Sequence, residues 1–199
     1  MYRLAVLVSG NGSNLQAIVD AVAAGALAAE VAVVVSNVEG AYALERAAAA
    51  GVPTIVLAPR QGEERADYDA RLRDAVGGYA PDLVVLAGWM RILTPAFVGA
   101  FDVINLHPAL PGELPGIHSI ERAWQEALAG QRTGSGVMVH RVPDEGVDDG
   151  PVLASAAVPI RLDDTFEAFA ARIHATEQRL LVDTIRDLIP TPTRAEATT

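Results

Sequence analysis

The chain has 199 residues, 51% of them hydrophobic, with 25 acidic against 15 basic side chains and a formal charge of −10. That length and apolar content suffice for one well-buried domain, while the absence of cysteine excludes disulfides, thiolate metal sites and a thiol nucleophile. The absence of lysine excludes Schiff-base chemistry and a Walker A lysine, and the acidic balance argues against a nucleic-acid partner, which needs a basic footprint.

In chain order, apolar runs rich in Val, Ile and Leu occur at Leu4–Val8, Val31–Val35, Thr54–Leu57, Leu83–Ala87 and Val103–Leu106. Between the first four lie helical patterns at Leu15–Ala24, Tyr42–Ala50 and Tyr68–Val76, closed by Gly25, Gly51 and Gly77 as stop signals. Strands that are apolar throughout and alternate with helices predict an α/β fold. Its sheet is doubly wound and mostly parallel, covered by helices on both faces, with a site outside the carboxyl ends of the strands.

After Pro108 a Pro/Gly-rich loop runs to Gly116, followed by a helix from about Ser119 to Ala129 and strand-like runs at Val137–Val142 and Val152–Ile160. A long helix from Thr165 to about Ile189 follows, N-capped by Asp164 or Thr165. Residues 1–189 read as a single domain, and Pro190–Thr199 as a frayed tail. Met1-Tyr-Arg-Leu enters a strand without the features of a signal peptide. No run approaches the roughly 20 apolar residues that span a bilayer. A cytoplasmic protein without a membrane partner is the expectation.

The segment Val103-Ile-Asn105-Leu-His107-Pro108 sets an amide and an imidazole two residues apart at a strand end. In extended backbone they point the same way. Together they suit stabilisation of an oxyanion, with the imidazole also able to carry a proton near neutral pH. The alternative is that Asn105 satisfies turn backbone and His107 is a buried, hydrogen-bonded histidine.

Ser9-Gly10-Asn11-Gly12-Ser13-Asn14 joins the first strand to the first helix. Small residues, free N–H groups and the helix dipole there favour a phosphate; a plain tight turn is the competing reading. It lacks the third glycine of the dinucleotide fingerprint and the G-K-[ST] of a P-loop. Val147-Asp148-Asp149-Gly150-Pro151 is either a solvated turn or a source of a carboxylate for the imidazole. Trp89, before Met90-Arg91-Ile92-Leu93, packs in the core or lines a groove for a flat heterocycle. The four histidines, His107, His118, His140 and His174, show no zinc-site spacing, and His118 and His140 read as structural residues.

These motifs, in this order from Leu4 to Ile189, resemble the phosphoribosylglycinamide formyltransferase family of folate-dependent enzymes. The resemblance implies the formyltransferase fold with a Rossmann-like N-terminal half. It also implies transfer of a formyl group from 10-formyltetrahydrofolate, as co-substrate and without a metal, to the amine of glycinamide ribonucleotide. By position it makes Asn105, His107 and Asp148 catalytic. Gly12, Ser13 and Asn14 become the ribonucleotide phosphate loop, with His174, Ala175, Thr176 and Glu177 completing that substrate's site. Arg65, Met90, Arg91, Ile92, Leu93 and Asn105 become folate contacts, joined by Asp144, Glu145, Gly146, Val147 and Asp148 as a loop over the pteridine. The chain departs from the family in its loop His107-Pro-Ala-Leu-Pro111-Gly-Glu-Leu-Pro115-Gly. It also has Met138 where a serine or threonine is common, and one extra residue, Pro143, before Asp148. A deformylase, using water as acceptor, a formyltransferase with another amine acceptor, and a non-catalytic nucleotide- or folate-binding module are the other readings. The oligomeric state, monomer or homodimer, stays open.

Overall fold

Alternating side chains of the central strands supply two separate cores, which places helices on both faces of the sheet. The computed structural model describes residues 1–161 and 163–190; most of the expected frayed tail lies outside them. On β1 (Tyr2–Val8), Leu4, Val6 and Val8 face one core, while Ala5 and Leu7 face the other. The same period-two division runs through β4 (Leu83–Leu86), whereas in β2 (Ala29–Ser36) a bulge at Ala32 shifts it, so that Ala29, Val31 and Val34 face the first core and Val33 and Val35 the second. The first core is closed by α1 (Ser13–Ala23), α2 (Tyr42–Ala49) and α6 (Phe166–Leu188), through Leu15, Ile18, Phe169, Ile173, Leu181 and Ile185. Tyr68, Leu72 and Val76 of α3 (Arg65–Gly77) and Phe97 of α4 (Pro95–Val98) close the second. Leu72 is fully buried; truncation to alanine costs about 2–5 kcal/mol.

The strands, completed by β3 (Thr54–Val56), β5 (Val103–His107), β6 (Gly134–Arg141) and β7 (Val152–Pro159), form one seven-stranded sheet of order β3-β2-β1-β4-β5-β6-β7. The pairs from β3 to β5 are parallel. Both β5–β6 and β6–β7 are antiparallel. The chain order reverses between β1 and β4, so a crevice opens beyond their carboxyl ends.

Local signals account for most element ends. Gly25 and Gly51 hold φ of 71° and 70° after α1 and α2, the left-handed stop that glycine adopts without strain. Gly77 does not stop α3: it is the last helical residue, and the positive φ falls on Ala80. Thr165 caps α6 by accepting from the Ala168 N–H at 3.3 Å. The short α4, with Pro95 at its start, is absent from the periodicity because one turn is too brief to show a repeat. α5 (Ser119–Leu128) follows the Pro-rich loop and leads into β6.

Candidate active site

β5 carries Asn105 and His107, and its antiparallel partner β6 sets His140 opposite Asn105. The β6–β7 loop then returns Asp148 to the same point. Asn105 Nδ2 donates to Asp148 Oδ1 at 3.0 Å and to His140 Nε2 at 3.1 Å, which engages both protons of the amide. His107 Nδ1 lies 3.3 Å from Asp148 Oδ2. Its Nε2–H donates to the Leu114 carbonyl at 3.1 Å. Asp148 Oδ2 also accepts the Gly116 N–H at 2.8 Å, and Asp148 holds φ of 56°, a strained conformation kept by these partners.

The imidazoles are buried, His107 at 4% and His140 at 2% exposure. His140 Nδ1–H donates to the Arg141 carbonyl at 2.8 Å, which leaves Nε2 to accept from Asn105. Asp148 Oδ1 sits 3.6 Å from that Nε2, beyond hydrogen-bond length. His140 read as structural from sequence; the structure puts it inside the cluster. The sequence carried no signal for this, because only the antiparallel register of β5 and β6 sets His140 across from Asn105.

Burial pushes the His107 pKa below its ordinary value and His140 adds to that, against the raising influence of the Asp148 carboxylate and of the Leu114 and, least, Glu113 backbone. For Asp148, burial is the largest influence and pushes the pKa up. His140, the Gly116 N–H and His107 together outweigh it and hold the carboxyl below its usual range. Above the ordinary imidazole pKa, His107 is therefore neutral with its proton on Nε2, and Nδ1 is the ring nitrogen not committed to backbone.

A cleft next to β1 and β4 is lined by Ser9, Gly10, Asn11, Gly12, Ser13, Asn14, Ala87, Gly88 and Met90. It occupies the point where the strand order reverses. Gly12 precedes α1 at φ 76°, and a Cβ there would lie 2.5 Å from that of Ala43. Ser9 Oγ ties the cleft together, accepting the Met90 N–H at 2.9 Å and donating to Asn37 Oδ1 at 2.6 Å. Arg46, which no sequence signal marked, donates to the Asn11 carbonyl at 2.9 Å and to Asn11 Oδ1 at 3.1 Å. It places a positive charge behind the loop. Asn14 Oδ1 is buried and lacks a partner, an uncompensated polar atom that a bound hydroxyl would satisfy.

The remaining residues divide by position. Met90 is 65% exposed and Ile92 is also exposed, whereas Leu93 is 3% exposed and belongs to the second core. Only alternate side chains of that segment thus face outward. Trp89 is buried in the same core. Arg91 stacks on Tyr68, 4.2 Å from the ring centroid. Arg65, at the start of α3, forms an ion pair with Glu145 in the β6–β7 loop. Asp144 Oδ1 accepts the Gly146 N–H at 2.8 Å, and Val147 is exposed. On α6, His174 Nδ1 donates to the buried Glu177 Oε2 at 2.7 Å, and that bond raises the His174 pKa. Ala175 is exposed, and Thr176 Oγ1 donates to the Arg172 carbonyl within the helix at 2.8 Å. Met138 is buried, paired in register with His107. Among the described residues, His118 is exposed and outside the cluster, and no group of three or more His, Asp or Glu side chains could hold a metal.

Residues 2–185 match the formyl transferase family model. A phosphoribosylglycinamide formyltransferase of Schizosaccharomyces pombe is 46% identical over 200 residues, covering 94% of this chain and 96% of its own. One from Escherichia coli is 41% identical over 180 residues, covering 89% and 82%. The crystal structure of phosphoribosylglycinamide formyltransferase from Bacillus halodurans superposes with a TM-score of 0.88 at 34% identity, over 98% of this chain and 100% of that one.

Proposed function

The chain belongs to the formyl transferase family, and from that membership we propose that it moves the formyl group of 10-formyltetrahydrofolate to the amine of glycinamide ribonucleotide. The observation that carries the reading is the convergence of Asn105, His107 and Asp148 within 3.0–3.3 Å contacts, beside a cleft suited to phosphate at the switch point of the sheet. Relatives at 41–46% identity that bear the phosphoribosylglycinamide formyltransferase name over nearly the whole chain support it.

The Gly12–Asn14 turn and the α1 N-terminus hold the phosphate, with the charge of Arg46 behind them. The outward side chains of Met90 and Ile92 and the Asp144–Asp148 loop form the folate side, with Arg65 placed for a carboxylate. His174 and Glu177 lie on α6, which packs against α1. The exposed apolar pair beside a polar cleft and the unpartnered Asn14 Oδ1 are what a flat heterocycle and a sugar phosphate would complete.

Asn105 stabilises the negative charge that develops on the formyl oxygen, a contribution of about 3–4 kcal/mol for a well-placed donor. Both of its protons are engaged in this structure, so the formyl oxygen takes over one of them. The bond to His140 is the weaker of the two, because the bond to the Asp148 carboxylate is charge-assisted. His107, neutral by burial, accepts the proton of the attacking amine at Nδ1. Asp148 stabilises the resulting imidazolium at 3.3 Å, and His107 then returns the proton to the leaving nitrogen.

The test is release of tetrahydrofolate by purified protein with and without glycinamide ribonucleotide. Turnover that requires the ribonucleotide supports the transferase reading. Equal turnover without it means hydrolysis, and no turnover in either case overturns the reading.

A further inference from the structure

We propose that Ser119 is a positioning residue for His107, acting through the carbonyl of Leu114. Ser119, the first residue of α5, is 2% exposed. Its hydroxyl lies 3.0 Å from the Leu114 carbonyl and 2.9 Å from the Gly116 carbonyl, and its single proton is shared between those two acceptors. The same short turn addresses both members of the buried pair. The Leu114 carbonyl accepts from His107 Nε2–H at 3.1 Å, and the Gly116 N–H donates to Asp148 Oδ2 at 2.8 Å.

The turn is not a relaxed one. Leu114 holds φ of 45° and His118 of 59°, in the left-handed region that residues with a side chain enter only when their surroundings insist. Leu114 is itself buried. Arg122 donates to the intervening Pro115 carbonyl at 2.8 Å, but among the described residues only the Ser119 hydroxyl, bridging two carbonyls of this strained turn, bonds the Leu114 carbonyl that meets the imidazole.

Around His107 the other charged or titratable neighbours are Asp148 from the β6–β7 loop and His140 from β6. A neutral imidazole beside a carboxylate would ordinarily keep its proton on the nitrogen facing that carboxylate, here Nδ1. The Leu114 carbonyl draws the proton to Nε2 instead and leaves Nδ1 free to accept one. Ser119 therefore selects the tautomer of a residue that it does not touch. The effect on turnover rests on the proposed formyl transfer; the tautomer does not.

The experiment is a two-bond nitrogen–proton correlation spectrum of the histidines, recorded above the imidazole pKa on the wild type, Ser119→Ala and Ser119→Thr. The wild type and Ser119→Thr should show His107 protonated on Nε2, and Ser119→Ala should move that proton to Nδ1. In the formyl-transfer assay, Ser119→Ala should lower kcat about tenfold with both KM values within twofold, and Ser119→Thr should restore it. A wild-type His107 protonated on Nδ1, or an unchanged tautomer in a folded Ser119→Ala, overturns the proposal. Where Ser119→Ala does not fold, Ser119→Cys, which fills the same space without a strong donor, gives the same comparison, and every spectrum can be read in a protein that fails the transferase assay.

Discussion

His140 Nε2 accepts a hydrogen bond from Asn105 Nδ2 across the β5–β6 pair, at 3.1 Å and buried from water. The bond orients the amide and holds one of its protons in reserve. Replacing His140 by alanine leaves the Asn105 proton and the Arg141 carbonyl without these partners. Unfolding monitored by denaturant should show a loss of about 1–3 kcal/mol. Turnover should fall in kcat more than in either KM, because the amide that meets the formyl oxygen loses its orientation. An unchanged kcat in a folded variant would remove His140 from the working set.

His107 and His174 should titrate in opposite directions from the ordinary 6.5. Burial lowers the folded pKa of His107, so below 6.5 the unfolded chain binds a proton that the folded chain refuses. Its contribution to stability is complete above 6.5 and is lost as pH falls toward the folded value. The bond to Glu177 raises His174, whose contribution is complete below 6.5 and is lost as pH rises through its folded pKa. A histidine NMR titration checks both; midpoints on the same side of 6.5 would contradict the assignment.

Gly12→Ala introduces a Cβ 2.5 Å from that of Ala43 at a φ of 76°. The overpacking alone costs about 1–3 kcal/mol, before the strain of left-handed backbone is added. Because the turn must shift to relieve the clash, KM for the ribonucleotide should rise well beyond tenfold while KM for the folate stays near the wild-type value. Equal rises in the two KM values would separate this turn from phosphate binding.

Arg65 and Glu145 form an ion pair with both side chains about half exposed, and such a pair contributes about 0–1 kcal/mol. Glu145→Ala should accordingly leave the melting temperature within a few degrees. Arg65→Ala should raise KM for 10-formyltetrahydrofolate several-fold, more for a polyglutamate tail, and leave kcat near normal. A KM unaffected by the loss of Arg65 would place the folate tail elsewhere.

The architecture of this protein was legible in its sequence because short-range rules govern it. Unbroken Val, Ile and Leu runs can only be covered on both faces, Gly25 and Gly51 stop helices through their backbone freedom, and Thr165 caps by a local hydrogen bond. Asn105 and His107 announced themselves as a pair because a strand repeats every two residues. The third member, the Asp148 carboxylate, was a family inference from the Val147–Pro151 motif, and the fourth, His140, read as a structural residue. Asp148 and His140 reach Asn105 across 43 and 35 residues of chain, and an antiparallel register and a strained loop bring them there. Neither leaves a periodic trace. The protonation order was likewise a matter of tertiary structure: the same imidazole is raised by a carboxylate and lowered by burial, and only the packed interior decides that burial prevails.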